Sequence, residues 1–243
     1  MGQAKHQRVL EQSSFILHRY AYRETSLIVE AFTRDYGRIA LIAKGAKRPH
    51  SALRATLQSF SPLVLSWSGK AELRTLVRAD WVGGMSPLVG KNLLYGFYLN
   101  ELLLKFCARE DPHEKLFEHY THALACLAKG DAIAPILRRF EYALLVEAGY
   151  AAALNWCVDT NAPVQPDEKY VYHPERGICL ATTTVPSTWP ILSGQSLLDI
   201  SSHHYGNIST ARYSKVLMNF LLQHHLQKAA LVTREILVAL HQQ

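Results

Sequence analysis

The stretch SFILHRYAYRETSLIVEAFTRDYGRIALIA, residues 14–43, decides the fold. It holds three short runs rich in β-branched, aliphatic and aromatic residues, SFIL, SLIVEAF and RIALIA, and RDYG between the last two has the Asp and Gly of a tight turn. Working outward, two further runs follow, SPLVLSW (61–67) and ELRTLVRAD (72–80), set off by the turn-like KGAKRPHS (44–51) and SGKA (68–71). Five strands in that length fit a small closed barrel, with Phe15 and Phe32, inside apolar runs, expected to fill its core. The OB-fold is the commonest five-stranded barrel that binds nucleic acid, but an SH3-like barrel produces a similar string, and strand pattern alone does not choose between them.

From Pro87 the apolar period becomes helical. Helices are expected over residues 88–108, 113–128 and 134–148, with Pro112 ending or restarting the first and Gly149 at the C-terminal cap of the third. Residues 155–187 carry four prolines and two short β-like runs, which reads as an inserted loop or hairpin. Helical spacing returns over 194–200, 210–226 and 233–240. The expected organisation is a barrel domain over residues 1–82 and a helical domain over 83–243, the insert lying within the second.

Composition narrows the function. The net charge is +6, but residues 1–80 hold 13 Lys and Arg against 6 Asp and Glu, +7, and residues 81–243 hold 13 against 14, −1. All the positive excess sits on the barrel, as expected of a polyanion-binding module joined to a near-neutral one. Nucleic acid leads over a membrane surface because no basic amphipathic membrane helix accompanies the charge. The opening residues contain no apolar core of signal-peptide length, and the most apolar later stretch is broken by Asn100 and Glu101, so a soluble, cytoplasmic protein is expected. The four cysteines, Cys107, Cys126, Cys157 and Cys179, form no CxxC pair, so buried free thiols are expected rather than a disulfide framework or an intact four-cysteine zinc site.

Catalytic patterns are missing. Gly69-Lys70 is the one phosphate-loop-like pair, but Ala71 stands where a Mg-binding Ser or Thr belongs and Val64 where the earlier glycine belongs. There is no HExxH, no GxSxG and no tight carboxylate cluster, so an enzyme is not expected. Cys157, His173 and Cys179 fall in the insert without paired-ligand spacing, and His203-His204 and His224-His225 would splay about 100° apart on a helix, so neither cofactor nor metal is expected.

The basic constellation is the strongest signal. Arg19, Arg23, Arg34, Arg38, Lys44, Lys47, Arg48 and Arg54 lie in or beside the first three strands and the loop after them, interleaved with Tyr20, Tyr22, Phe32 and Tyr36. Cations for phosphates and rings for bases are what a single-strand groove needs. For Tyr22 and Tyr36, at turn positions, base stacking and packing remain equally open. In PILRRFEYALL, Arg138 or Arg139 can edge an apolar groove and hold a carboxylate of an acidic, aromatic-ended peptide. Spacing equally allows Arg138 to pair with Glu141 on a wet helix face.

The ordered segments YRETSLIVEAFTRDYGRIALIAKGAKRP (22–49), LQSFSPLVLSWSGKAELRTL (57–76), GFYLNELLLKFCAREDPHEKLFEHY (96–120) and LRRFEYALLVEAGY (137–150) together resemble the RecO family of bacterial recombination mediators. The resemblance implies an α+β chain: an N-terminal five-stranded OB-fold barrel, then an all-helical C-terminal domain with an irregular, degenerate zinc-ribbon-like insert. It implies ATP-independent annealing of DNA strands, cooperation with RecR, and help in loading RecA onto DNA coated by single-stranded DNA-binding protein. The family's basic barrel residues match Arg34, Arg38, Lys44, Lys47 and Arg48. Some members bind zinc through four cysteines; Cys157 matches the first, the paired ones are missing, and this chain resembles a member that lost the metal. In some relatives the helix carrying LRRFE contributes to a pocket for the acidic C-terminal tail of single-stranded DNA-binding protein, which implies partner-binding roles for Arg138 and Arg139. Two rivals stand beside this reading: a basic-barrel protein-protein adaptor without direct DNA binding, and a metal-dependent enzyme built on the insert.

Overall fold

Alternation of side chains across a strand, inward then outward, builds the barrel. Strands β1 (Arg8–Tyr22), β2 (Ser26–Thr33), β3 (Gly37–Ala43), β4 (Leu63–Ser68) and β5 (Leu73–Trp81) close in the order β1-β2-β3-β5-β4 in the computed structural model, which describes residues 8–181, 186, 188–226 and 231–241. Only the β3–β5 pair is parallel. A short helix, α1 (Ala52–Thr56), lies between β3 and β4. Five strands closed with this Greek-key order make an OB-fold, which resolves the choice of barrels that strand pattern left open. Ile16, Val29, Ala31, Ile39, Leu41 and Trp67 pack together inside it.

Around Phe15 and Phe32 the outward faces of β1 and β2 are covered by the chain itself. Helices α2 (Lys91–Phe106) and α3 (Glu114–Lys129) belong to the same compact unit as the barrel, residues 1–130 with 231–243. Phe15 and Phe32 are direct cross-strand partners, and their rings lie 5.2 to 6.0 Å from those of Phe117 and Tyr120 on α3. The expectation that these two phenylalanines fill the barrel is thus corrected: their neighbours Ile16 and Ala31 take the inward positions, and the phenylalanines form the layer beneath α3. Asn100 is buried on α2, donates to the Leu17 carbonyl at 2.9 Å and accepts from the Tyr120 hydroxyl. The Glu101 carboxylate accepts the N–H groups of Val232 and Thr233, each at 2.9 Å, at the start of α7 (Val232–His241). The two residues that break the apolar run therefore fasten a helix to the barrel and cap another, a carboxylate at a helix N-terminus being favoured by the dipole.

After α2 the chain runs beside β3, where the Glu110 N–H donates to the Arg38 carbonyl at 2.9 Å. Gly37 permits this approach, because it sits at φ +64° and a Cβ there would fall 1.9 Å from the Asp111 carbonyl oxygen.

The second compact unit spans residues 131–230. Helix α4 (Ile133–Glu147) is followed by β6 (Trp156–Cys157), β7 (Ala162–Pro163), β8 (Lys169–His173), β9 (Gly177–Leu180) and β10 (Ile191–Ser193), then α5 (Gly194–Ser201) and α6 (Ile208–Leu226). The insert expected near 155–187 thus contributes most of a small sheet in the order β10-β8-β9-β6-β7, with the β8–β9 hairpin at its middle. Two tyrosine hydroxyls tie loops to it: that of Tyr172 accepts from the Ala152 N–H at 2.6 Å and that of Tyr170 from the Gln165 N–H at 2.8 Å. The chain is α+β, an OB-type barrel followed by a helical part, and the change of sequence period near 82–83 does not coincide with the division between compact units at 130–131.

Candidate nucleic-acid interface

Turn chemistry gathers cations at one end of the barrel. Beyond Ala43 the chain turns at Gly45, in the left-handed region at φ +70°, and the loop is pinned by three backbone bonds: Lys47 N–H to the Thr25 carbonyl at 2.9 Å, Arg48 N–H to Gly45 at 3.1 Å and Ser51 N–H to Arg48 at 3.1 Å. The first of these joins the loop to the β1–β2 turn. Lys47 Nζ also reaches the Arg23 carbonyl at 3.5 Å, and the Arg23 guanidinium lies 5.1 Å from the Tyr22 ring centroid. Lys44, Gly45, Arg48, Pro49, His50 and Ser51 line an open hollow of about 510 Å³. On α1 next to it, Arg54 offers its carbonyl to the Gln58 side-chain amide at 2.7 Å, and Gln58 lines a second hollow together with His18 and Arg19.

Among the described residues none of Arg19, Arg23, Lys44, Lys47, Arg48 or Arg54 forms an ion pair, and all six are exposed. The other cations of the basic constellation are placed differently. Arg34, in the β2–β3 turn, pairs with Glu114 of α3, and half-buried Arg38 donates to the Leu104 carbonyl at 2.9 Å. Arg38 begins β3 and Lys44 follows its end, so the rise of about 3.3 Å per residue separates them by roughly 20 Å. Arg34 and Arg38 are thus engaged by Glu114 and by the Leu104 carbonyl, away from the loop after β3. Tyr36 has its ring against buried Trp67, centroids 5.3 Å apart and nearly perpendicular, at the margin of the barrel core.

Sequence reasoning missed Arg109. Its guanidinium binds Glu30, buried on β2, and Glu72, and Arg74 pairs with Glu110 at 2.9 Å, so residues 109 and 110 hold the β3 and β5 side of the barrel. The hydrogen bond with Glu30 is the chief cause that raises the Arg109 pKa. OB-folds bind oligonucleotides on the face of strands 2 and 3 and on flanking loops. Here α3 and the segment at 109–110 occupy that face, while the β1–β2 turn and the loop after β3 stay open. No local signal marks this cover, because its pairs join residues far apart in sequence.

In the second unit, Arg138 lies 2.6 Å from the fully buried Glu141 carboxylate with its own side chain 13% exposed. The i,i+3 pair is formed, but not on a wet face. Arg139 is half-buried and its guanidinium reaches the His203 carbonyl at 3.4 Å. The Tyr205 hydroxyl, buried close by without a hydrogen-bond partner among the described residues, has its pKa pushed up by burial.

The residues do not fit a zinc ion. Cys157 and Cys179 are buried on neighbouring strands, but two thiols are half of the closed tetrahedral set that a structural zinc takes. The His173 ring stands edge-on to Trp189 with centroids 4.9 Å apart. Among the described residues no three His, Cys, Asp or Glu side chains gather as a metal site. Elemental analysis of purified protein is expected to find no stoichiometric zinc, with the thermal transition unmoved by a chelator; one equivalent per chain, lost together with the fold on chelation, would overturn this.

Barrel order and secondary-structure content define the chain as an OB-fold protein of the α+β class, and among its described residues no helix is long and apolar enough to cross a membrane. The family model described as Recombination protein O N terminal matches residues 8–85, and the one described as Recombination protein O C terminal matches residues 89–235. The DNA repair protein RecO of Ralstonia nicotianae is 60% identical over 239 residues, covering 98% of this chain and 87% of that protein. Those of Cupriavidus pinatubonensis and Burkholderia lata are 56% and 58% identical over 234 and 233 residues, each covering 96% of this chain and 80% and 84% of the relative. The chain belongs to the Recombination protein O (RecO) family, and its role is in DNA repair and recombination.

Proposed function

We propose that the chain is a non-enzymatic recombination mediator that binds DNA, single strands above all, through the open end of its barrel and promotes annealing without ATP. One observation carries this reading: six exposed cations on the end of β1, the β1–β2 turn, the loop after β3 and α1, none of which forms an ion pair among the described residues, within the part of the chain that holds the whole positive excess. Cations unengaged by carboxylates are free to replace the counterions of a phosphate backbone. Arg34 and Arg38 contribute indirectly, by fastening the barrel to the helices. The helical part supplies partner contacts: RecR, and at Arg139, with Arg138 beside it, the acidic tail of single-stranded DNA-binding protein, which together deliver a coated strand to RecA. Such a protein works in the cytoplasm at the nucleoid.

Titration of purified protein with oligonucleotides across a salt series tests the reading. The logarithm of affinity should fall linearly with the logarithm of salt, with a slope near −3 on single strands for about four phosphate contacts at roughly 0.7 each. Annealing of strands precoated with single-stranded DNA-binding protein should proceed equally with and without ATP. Binding that is weak and indifferent to salt would favour the adaptor reading, in which the same cations dock an acidic protein.

A further inference from the structure

The rings that best suit base stacking lie on the β1–β2 hairpin, on residues that alternation alone would turn the other way. Phe15 pairs with Phe32 and Ile16 with Ala31, but His18, not Leu17, pairs with Glu30. Leu17 is thus an extra residue in β1, and a bulge of this kind re-aims every side chain that follows. With Phe15 outward and Ile16 inward, strict alternation would send His18, Tyr20 and Tyr22 inward; the bulge sends them outward, on the face of their partners Glu30, Ile28 and Ser26. Burial ends at the same point: Ser14 through Leu17 are all buried, and His18 through Ala21 are all exposed.

The consequence is a short ladder of rings on an open surface. The His18 and Tyr20 rings are stacked with centroids 4.4 Å apart and planes 28° from parallel, and Tyr20 is 47% exposed. At the next rung the Arg23 guanidinium caps the Tyr22 ring, and Lys47 adjoins Arg23 through its carbonyl. His18 and Arg19 are among the residues that line a hollow of about 290 Å³, with Phe60 and Phe97. Two rings already held near parallel give a base a flat surface at no cost in rotamer freedom, and cations at both ends give the backbone its anchors. Tyr36, by contrast, has its ring engaged by Trp67.

We propose that His18, Tyr20 and Tyr22, turned outward by the bulge at Leu17 and flanked by Arg19, Arg23 and Lys47, form a stacking platform for the bases of single-stranded DNA. This rests on the DNA-binding reading above and adds to it where the bases go. The full-length protein would be titrated with a labelled oligothymidine and with an abasic strand of the same length, which carries the same phosphates and no bases. The wild type should prefer the oligothymidine about tenfold. The pair His18→Leu and Tyr20→Leu should abolish that preference while leaving the abasic affinity and the salt slope unchanged, and Tyr20→Phe, which keeps the ring, should retain it. Equal binding of the two strands by the wild type, or a preference that survives in the doubly substituted protein, overturns the platform while the DNA-binding reading stands, and turns the exposed rings over to a protein partner. Failure to bind either strand overturns both. Because the first comparison uses the wild type alone, it decides the matter even if the substituted protein melts early.

Discussion

Alanine at Lys44, Lys47 and Arg48 together is expected to weaken binding to single-stranded DNA about a hundredfold near 0.1 M salt. Each phosphate contact contributes roughly 0.7 to the slope of log affinity against log salt, so three contacts remove about two units of slope, and one decade of salt below 1 M converts two units into a factor of about 100. The loss should be alike for all sequences, because phosphate contacts carry no base information. Thermal stability should hardly change, since the three side chains are exposed and make no ion pair among the described residues. Arg38→Ala supplies the contrast: its guanidinium holds the Leu104 carbonyl, so it should lower the melting temperature and leave the slope nearly alone. Fluorescence anisotropy over a salt series reads both quantities, and a slope unchanged in the triple variant would remove the loop after β3 from the DNA site.

The barrel was legible because its cause is local. Three runs within residues 14–43 set the strands, RDYG set the hairpin turn, and the basic loop KGAKRPHS announced itself by charge beside Gly45 and Pro49. Of the four cysteines expected to be buried free thiols, Cys107, Cys157 and Cys179 are buried and Cys126 is half-buried. What sequence left open was decided by distant partners. Arg34 and Lys44 look alike in sequence, yet one meets Glu114, 80 positions away, and the other meets no carboxylate among the described residues. Tyr36 and Tyr20 both stand near turns; Trp67 claims the first, and a one-residue bulge at Leu17 turns the second to the outer face. A bulge has no composition signal, since it appears only when the register with the partner strand is known. The same holds for Arg109, whose two carboxylates come from β2 and from the turn before β5.

Arg138→Ala is expected to destabilise the protein by about 3 kcal/mol or more, because it strips the guanidinium from a buried carboxylate. Glu141 has no exposed side-chain surface and the Arg138 nitrogen lies 2.6 Å from its oxygen. A surface pair at the same i,i+3 spacing would be worth only a few tenths of a kcal/mol, so burial alone separates the two expectations. For a chain of this length a loss of 3 kcal/mol corresponds to a fall of roughly 10 °C in melting temperature. Replacing both partners, Arg138→Met with Glu141→Leu, should cost less than Arg138→Ala by itself, since the carboxylate is then not left buried without this cation. That ordering is the test, because packing loss alone would make the double variant the worse of the two. It also decides how the acidic-tail reading is examined. A tail-binding defect in Arg138→Ala would mix recognition with a weakened fold, whereas Arg139, half-buried and directed to the His203 carbonyl, can be replaced while the Arg138–Glu141 pair stays intact. Arg139→Ala should therefore weaken binding of an acidic tail peptide about tenfold, with bare DNA bound as before and a smaller fall in melting temperature than in Arg138→Ala. If Arg138→Ala melts with the wild type, Glu141 is not held by that pair, and Arg138 returns as the stronger candidate for the tail.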